Sequence, residues 1–202
     1  MNYIFSAIFL YFFLGFLLYI FQRRIVFNKS GHPGAPKDYN LDNTEEVYIK
    51  TEDNLKLLSW YHKGNNSLPL LVYFHGNSFH IGDRAYRIQR YIEKNWSVLL
   101  VSWRGFGGNE GNPTEKNLYK DAEAVLKWIK NNTEFKFKEL VIYGESLGSG
   151  AAVEMGTKYE FLSIVLEAPF TSINDIATVS YTHLRAHETR EDRVCRRLRE
   201  KK

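Results

Sequence analysis

The sequence predicts an α/β protein whose mostly parallel sheet carries helices on both faces. Three observations lead there. From Leu68 onward, short and continuously apolar runs alternate with helical patterns, in the order strand, helix, strand, helix, strand, helix, strand. Strands that are apolar without interruption belong to sheets covered on both faces, and their alternation with helices belongs to parallel sheets. The third observation is where the unusual loops fall. HGNS (75–78), RGFGGNEG (104–111), GESLG (144–148) and EAPF (167–170) each follow one of the apolar runs. All four would therefore gather beyond the carboxyl ends of the strands, where such sheets bind their ligands.

The elements follow in chain order. Tyr3 to Phe21 (YIFSAIFLYFFLGFLLYIF) carries no charge and is followed by Gln22, Arg23 and Arg24. At about 1.5 Å per residue this run approaches the ~30 Å hydrocarbon core of a bilayer. Its flanks do not fit a cleaved signal peptide: it lacks a charged leading segment, and Tyr19-Ile20-Phe21 is unlike a small-residue cleavage site. Residues 1–22 are thus expected to form a transmembrane anchor. Arg23, Arg24 and Lys29 on its far side favour a single-pass protein with a cytoplasmic domain. Residues 23–43, with Gly31, Pro33, Gly34 and Pro36, read as a linker.

Val47–Thr51 and Leu55–His62 read as two strands joined through Glu52-Asp53-Asn54, a hairpin signal. Leu68–Phe74 is a buried strand. Gly82–Asn95 is an amphipathic helix with Tyr86, Ile88, Tyr91 and Ile92 on its apolar side. Ser97–Trp103 is the next buried strand. Thr114 caps a helix running to about Asn131, with a stripe of Leu118, Ala122, Val125, Leu126 and Ile129. Leu140–Tyr143 is a strand, Gly148–Tyr159 a helix and Leu162–Leu166 a strand. Thr171 or Ser172 would cap a further helix near Asn174 and Asp175.

Composition narrows the function classes. The formal net charge is +4, yet eight of the 27 basic and four of the 23 acidic residues lie in 178–202, leaving nineteen of each sign in residues 1–177. The basic balance belongs to the tail and is not a nucleic-acid footprint. The single cysteine, Cys195, also lies in the tail, so disulfides, a cysteine metal site and a cysteine nucleophile are disfavoured. The glycines of RGFGGNEG do not have G-x-G-x-x-G spacing, Pro113 intervenes before the helix, and no G-x-x-x-x-G-K-[ST] occurs, which argues against nucleotide binding.

The chemistry concentrates at Gly144-Glu145-Ser146-Leu147-Gly148. G-x-S-x-G between an apolar strand and a run of small residues (Ser149, Gly150, Ala151, Ala152) is a nucleophile elbow. Gly144 and Gly148 leave room where a β-carbon would meet a crossing backbone. Ser146 would attack an acyl carbon, and its neutral hydroxyl needs a base to take the proton. A tetrahedral intermediate needs backbone donors: the amide of Leu147 and one from His75-Gly76-Asn77, assigned to Asn77. His75 precedes the serine and sits on that loop, so it reads as an imidazole that orders the turn. No metal and no cofactor enter this reading.

These pieces resemble the membrane-anchored α/β-hydrolase-domain family, with a serine-aminopeptidase-type hydrolase core and members that include eukaryotic protein depalmitoylases. The resemblance covers residues ~20 to 177 through FQRRIVF, YFHGN, SWRGFGGNEGNPTEKNLYKDAEAVL, YGESLGSGAA and LEAPFTSI. It implies an α/β-hydrolase fold over 44–177, Ser146 as nucleophile, Asn77 and Leu147 as oxyanion donors, and an acyl-bearing substrate: a small ester, a lipid or an acylated protein. It also implies an acid and a histidine after the serine, each following a further strand. The later candidates are Asp175, Asp192, His183 and His187. Asp175 reads instead as a first-turn helix carboxylate. His183 and His187 have helical i, i+4 spacing but no H-E-x-x-H pattern, and read as a solvated pair. Residues 178–202 change character abruptly, with dense charge and neither Gly nor Pro. They are expected to lie outside the fold, as the ending of a truncated or chimeric reading frame, or as a basic helix on a membrane surface. The C-terminal part of the fold, with the triad Asp and His, is expected to be missing and activity impaired. A non-catalytic hydrolase-fold protein is the alternative.

Overall fold

The computed structural model describes residues 2–26, 28–29 and 31–169. The strands are β1 (Asn28–Lys29), β2 (Thr44–Lys50), β3 (Lys56–His62), β4 (Leu70–Phe74), β5 (Ser78–Phe79), β6 (Ser97–Val101), β7 (Leu140–Glu145) and β8 (Ser163–Glu167). The α-helices are α1 (Asn2–Val26), α2 (Ala85–Ile92), α3 (Glu115–Asn132) and α4 (Leu147–Lys158). Six strands form one sheet in the order β2-β3-β6-β4-β7-β8. β2 and β3 run antiparallel, β3 runs antiparallel to β6, and the pairs β6-β4, β4-β7 and β7-β8 are parallel. This is the predicted class.

The apolar runs explain the layering. Every residue of β4 and of β6 is buried. Alternate side chains serve opposite faces. Leu70, Val72, Phe74, Leu99, Val101 and Ile142 pack against α3 and α4 through Leu118, Val125, Ile129, Ala152 and Met155. Leu71, Tyr73, Val98 and Leu100 face the other way, onto Ala85 and Ile88 of α2. Chain order reverses across the sheet at β4: the chain steps from β4 to β6 on one side, then to β7 on the other. The loops after β4 and β7 therefore flank the switch point, where the sheet opens a crevice.

Several elements differ from expectation. The helix expected over 82–95 is a 3-10 turn, Ile81–Arg84, followed by the shorter α2. Within residues 23–43, expected to be a linker, lie β1 and a 3-10 turn over Pro36–Tyr39. Tyr39 lies 5.4 Å from the Trp60 ring and donates to the Pro33 carbonyl at 2.6 Å, and Leu41 is buried. Local Gly and Pro content hid a segment that is ordered by burial.

The transmembrane expectation for residues 1–22 is not supported. Among the described residues no helix is long and apolar enough to cross a membrane. The described side chains of α1 are those at 5–17 and 19–21. They are nonetheless apolar and turned outward, with Phe9 71% and Tyr11 74% exposed. The tail, and with it Asp175, His183, His187, Asp192 and Cys195, lies outside the described residues.

Candidate active site

Ser146 sits between β7 and α4 with φ 46° and ψ −111°, a conformation that costs an L-residue about 1–3 kcal/mol. Packing on three sides holds it there. Its amide donates to the Glu167 carbonyl of β8 at 2.8 Å, and its own carbonyl accepts the Ser149 amide at 2.8 Å. The two flanking glycines are obligatory by distance. A β-carbon on Gly144 would stand 2.7 Å from the Gly148 carbonyl oxygen, and one on Gly148 would stand 2.1 Å from the Phe74 carbonyl oxygen of β4. Helix and strand could not approach so closely with a side chain at either place.

Leu147 is the first residue of α4, so its amide has no intrahelical acceptor and points toward the turn with the positive end of the helix dipole. Gly76, after β4, comes against the elbow: a β-carbon there would stand 3.3 Å from the Ser146 Cβ. Asn77 follows and is half-buried. The structure thus brings Ser146, Leu147, Gly144, Gly148 and the Gly76–Asn77 loop together at one edge of the switch-point crevice.

His75 is fully buried in this loop. Its Nδ1 donates to the Gly76 carbonyl at 2.6 Å, and its Nε2 accepts the Trp103 amide at 3.5 Å. The Trp103 indole in turn donates to the His75 carbonyl at 2.9 Å. Burial, aided by the Arg84 cation, pushes the imidazole down to about 4. His75 is a neutral brace between the ends of β4 and β6.

A family model, serine aminopeptidase S33, matches residues 66–199. The chain belongs to this α/β-hydrolase family. The uncharacterized protein Rv2307c of Mycobacterium tuberculosis is 32% identical over 84% of this chain and 62% of its own length. The lysophosphatidylserine lipase ABHD12 of Danio rerio is 29% identical over 70% of this chain and 44% of its own. Among solved structures, the Pyrococcus furiosus esterase Pf2001 superposes with a TM-score of 0.65 at 24% identity, over 78% of this chain and 63% of that one. The chain spans 62%, 59% and 58% of three curated relatives.

No histidine or carboxylate among the described residues hydrogen-bonds the Ser146 hydroxyl. The carboxylates nearest the elbow are committed elsewhere. Glu145 accepts from Arg84 Nη2 at 2.8 Å, Arg84 Nε at 3.0 Å and the Tyr73 hydroxyl at 2.9 Å. Burial opposes its ionisation, but the Arg84 guanidinium wins and holds the carboxyl below its ordinary value. Glu167 accepts from Arg87 Nη1 at 2.5 Å and from the Tyr143 hydroxyl at 2.6 Å. The Tyr73 and Tyr143 rings stack at 4.6 Å between the two pairs.

Sequence reasoning missed this network. Its only local trace is the spacing of Arg84 and Arg87, three apart at the start of a helix; their acceptors lie 61 and 80 residues away. A second missed cluster centres on a buried arginine. Arg104, 2% exposed, donates to Asp121 at 2.6 Å and to Asp53 at 2.7 Å, tying the β6 loop to α3 and to the hairpin. A cavity of about 470 Å³ lies away from Ser146, between the hairpin and the loop after β6, lined by His32, Leu55, Lys56, Gly108 and Glu110.

Proposed function

We propose that Ser146 is the nucleophile of a serine hydrolase that cleaves acyl ester, thioester or amide bonds. The observation that carries this reading is the Ser146 conformation itself. A strained backbone at a strand-to-helix turn, with the Gly76 loop packed against it, serves to present a hydroxyl beside backbone amides. The Ser146 oxygen adds to the acyl carbon as its proton passes to a base, the oxyanion is held by the amides of Leu147 and Asn77, and the carbon–leaving-group bond breaks as that proton is returned to the departing alcohol, thiol or amine; water then hydrolyses the acyl-enzyme to the free acid. The lipase relative supports an acyl-bearing substrate. The outward apolar side chains of α1 support attachment of the domain to a membrane, with lipids or acylated proteins within reach.

The alternative reading is a non-catalytic member of the fold. It is favoured by one observation, the absence among the described residues of a base bonded to Ser146. Both readings meet in one experiment: labelling of the full chain in detergent with a fluorophosphonate probe, beside Ser146→Ala. Labelling lost in the variant establishes an activated serine. Absence of labelling in both would overturn the catalytic reading.

A further inference from the structure

Glu145 immediately precedes Ser146 and points to the sheet face opposite α4. Its carboxylate is 13% exposed and takes both donors of the Arg84 fork. Arg84, 10% exposed, closes the 3-10 turn that continues the chain from the Gly76–Asn77 loop through β5. The same carboxylate also lies under that loop: a β-carbon on Gly76 would stand 3.2 Å from Glu145 Oε1. One side chain therefore touches the elbow by covalent attachment, the oxyanion loop by packing, and the turn after that loop by two charge-assisted hydrogen bonds. Tyr73 of β4 closes the circuit at 2.9 Å.

We propose that Glu145 and Arg84 are positioning residues that set the separation between the Ser146 hydroxyl and the amide of Asn77. Building this link from a bidentate carboxylate–guanidinium pair fixes both distance and angle, which a single hydrogen bond or an apolar contact would not. An oxyanion site works only when its donors are placed before the charge develops, so rigidity between elbow and loop is the property such a link supplies. This inference rests on the reading of Ser146 as nucleophile for its catalytic meaning; the mechanical link does not.

Hydrogen exchange on the full chain in detergent, read by mass spectrometry, separates the two. In Glu145→Gln and in Arg84→Met, exchange should quicken about tenfold or more in two segments together, 74–82 and 140–150, while α3 stays at the wild-type rate. Arg84→Lys, which keeps the charge and loses the fork, should fall between. Fluorophosphonate labelling should slow by a similar factor in the same variants. Exchange that is unchanged, confined to one segment, or raised equally in α3 would overturn the link. Labelling that survives Ser146→Ala would instead overturn the nucleophile and leave the exchange result to stand on its own.

Discussion

Glu145 and Glu167 stand directly opposite one another in the register of β7 and β8, yet each carboxylate has its own arginine. Like charges paired across strands repel. Arg84 and Arg87, one helical turn apart, neutralise them separately, and Tyr73 and Tyr143 stack between. Arg87→Met should leave Glu167 facing Glu145 uncompensated. The Arg87–Glu167 pair is partly exposed, so the direct loss is about 0.5–1 kcal/mol. Urea unfolding at low and high salt would show it, with the deficit shrinking as salt screens the repulsion. A salt-independent deficit would mean that packing, not charge, was lost.

Ser146 provides a second expectation. At φ 46° and ψ −111° a β-carbon is strained, whereas for glycine this is the mirror image of ordinary extended backbone. Ser146→Gly should therefore be more stable than Ser146→Ala by about 1 kcal/mol, the strain relief exceeding the greater entropy glycine loses on folding. Thermal unfolding of the two variants decides it; Ala above Gly would mean the backbone has relaxed.

His75 makes stability depend on pH in a defined window. Its folded value of about 4 lies below the ordinary value of 6.5, so between these the unfolded chain binds a proton that the native protein refuses. Stability is then full above 6.5 and declines as pH falls toward 4, by roughly 3 kcal/mol in all. Glu145 and Asp53, whose pKa values are lowered, lose their contributions only below the ordinary carboxylate range, so they do not enter unfolding measured between pH 6.5 and 5. His75→Asn should flatten this slope. A residual slope remains from His62, which burial lowers as well.

Asp121 is inaccessible to solvent, and its partner Arg104 nearly so. Asp121→Ala should cost about 3–5 kcal/mol, because it strands a buried guanidinium. Asp53, 40% exposed at the other end of the fork, should matter much less. Denaturant midpoints for the two variants should differ accordingly, and equal losses would show that Arg104 reaches water.

What could be read without coordinates was periodic or local. Continuous apolar runs announced β4, β6 and β7, and Thr114 announced the start of α3, where its side chain accepts the Asn117 amide at 3.2 Å. Gly144-x-Ser146-x-Gly148 announced a turn that only small residues can make. The placement of residues 36–41 comes from packing of Tyr39 and Leu41, which no local pattern encodes.

The sequence by itself therefore determined the fold class, the succession of strands and helices along the chain and a serine placed on a strand-to-helix turn, since each depends on patterns within a few residues. Only the tertiary structure decided that Glu145 is clasped by Arg84, that Glu167 is clasped by Arg87, and that Arg104 is buried between two aspartates. Those pairings join residues from 17 to 80 positions apart. Charged side chains spaced so widely are indistinguishable from solvated ones until the sheet closes and burial forces each to find a partner.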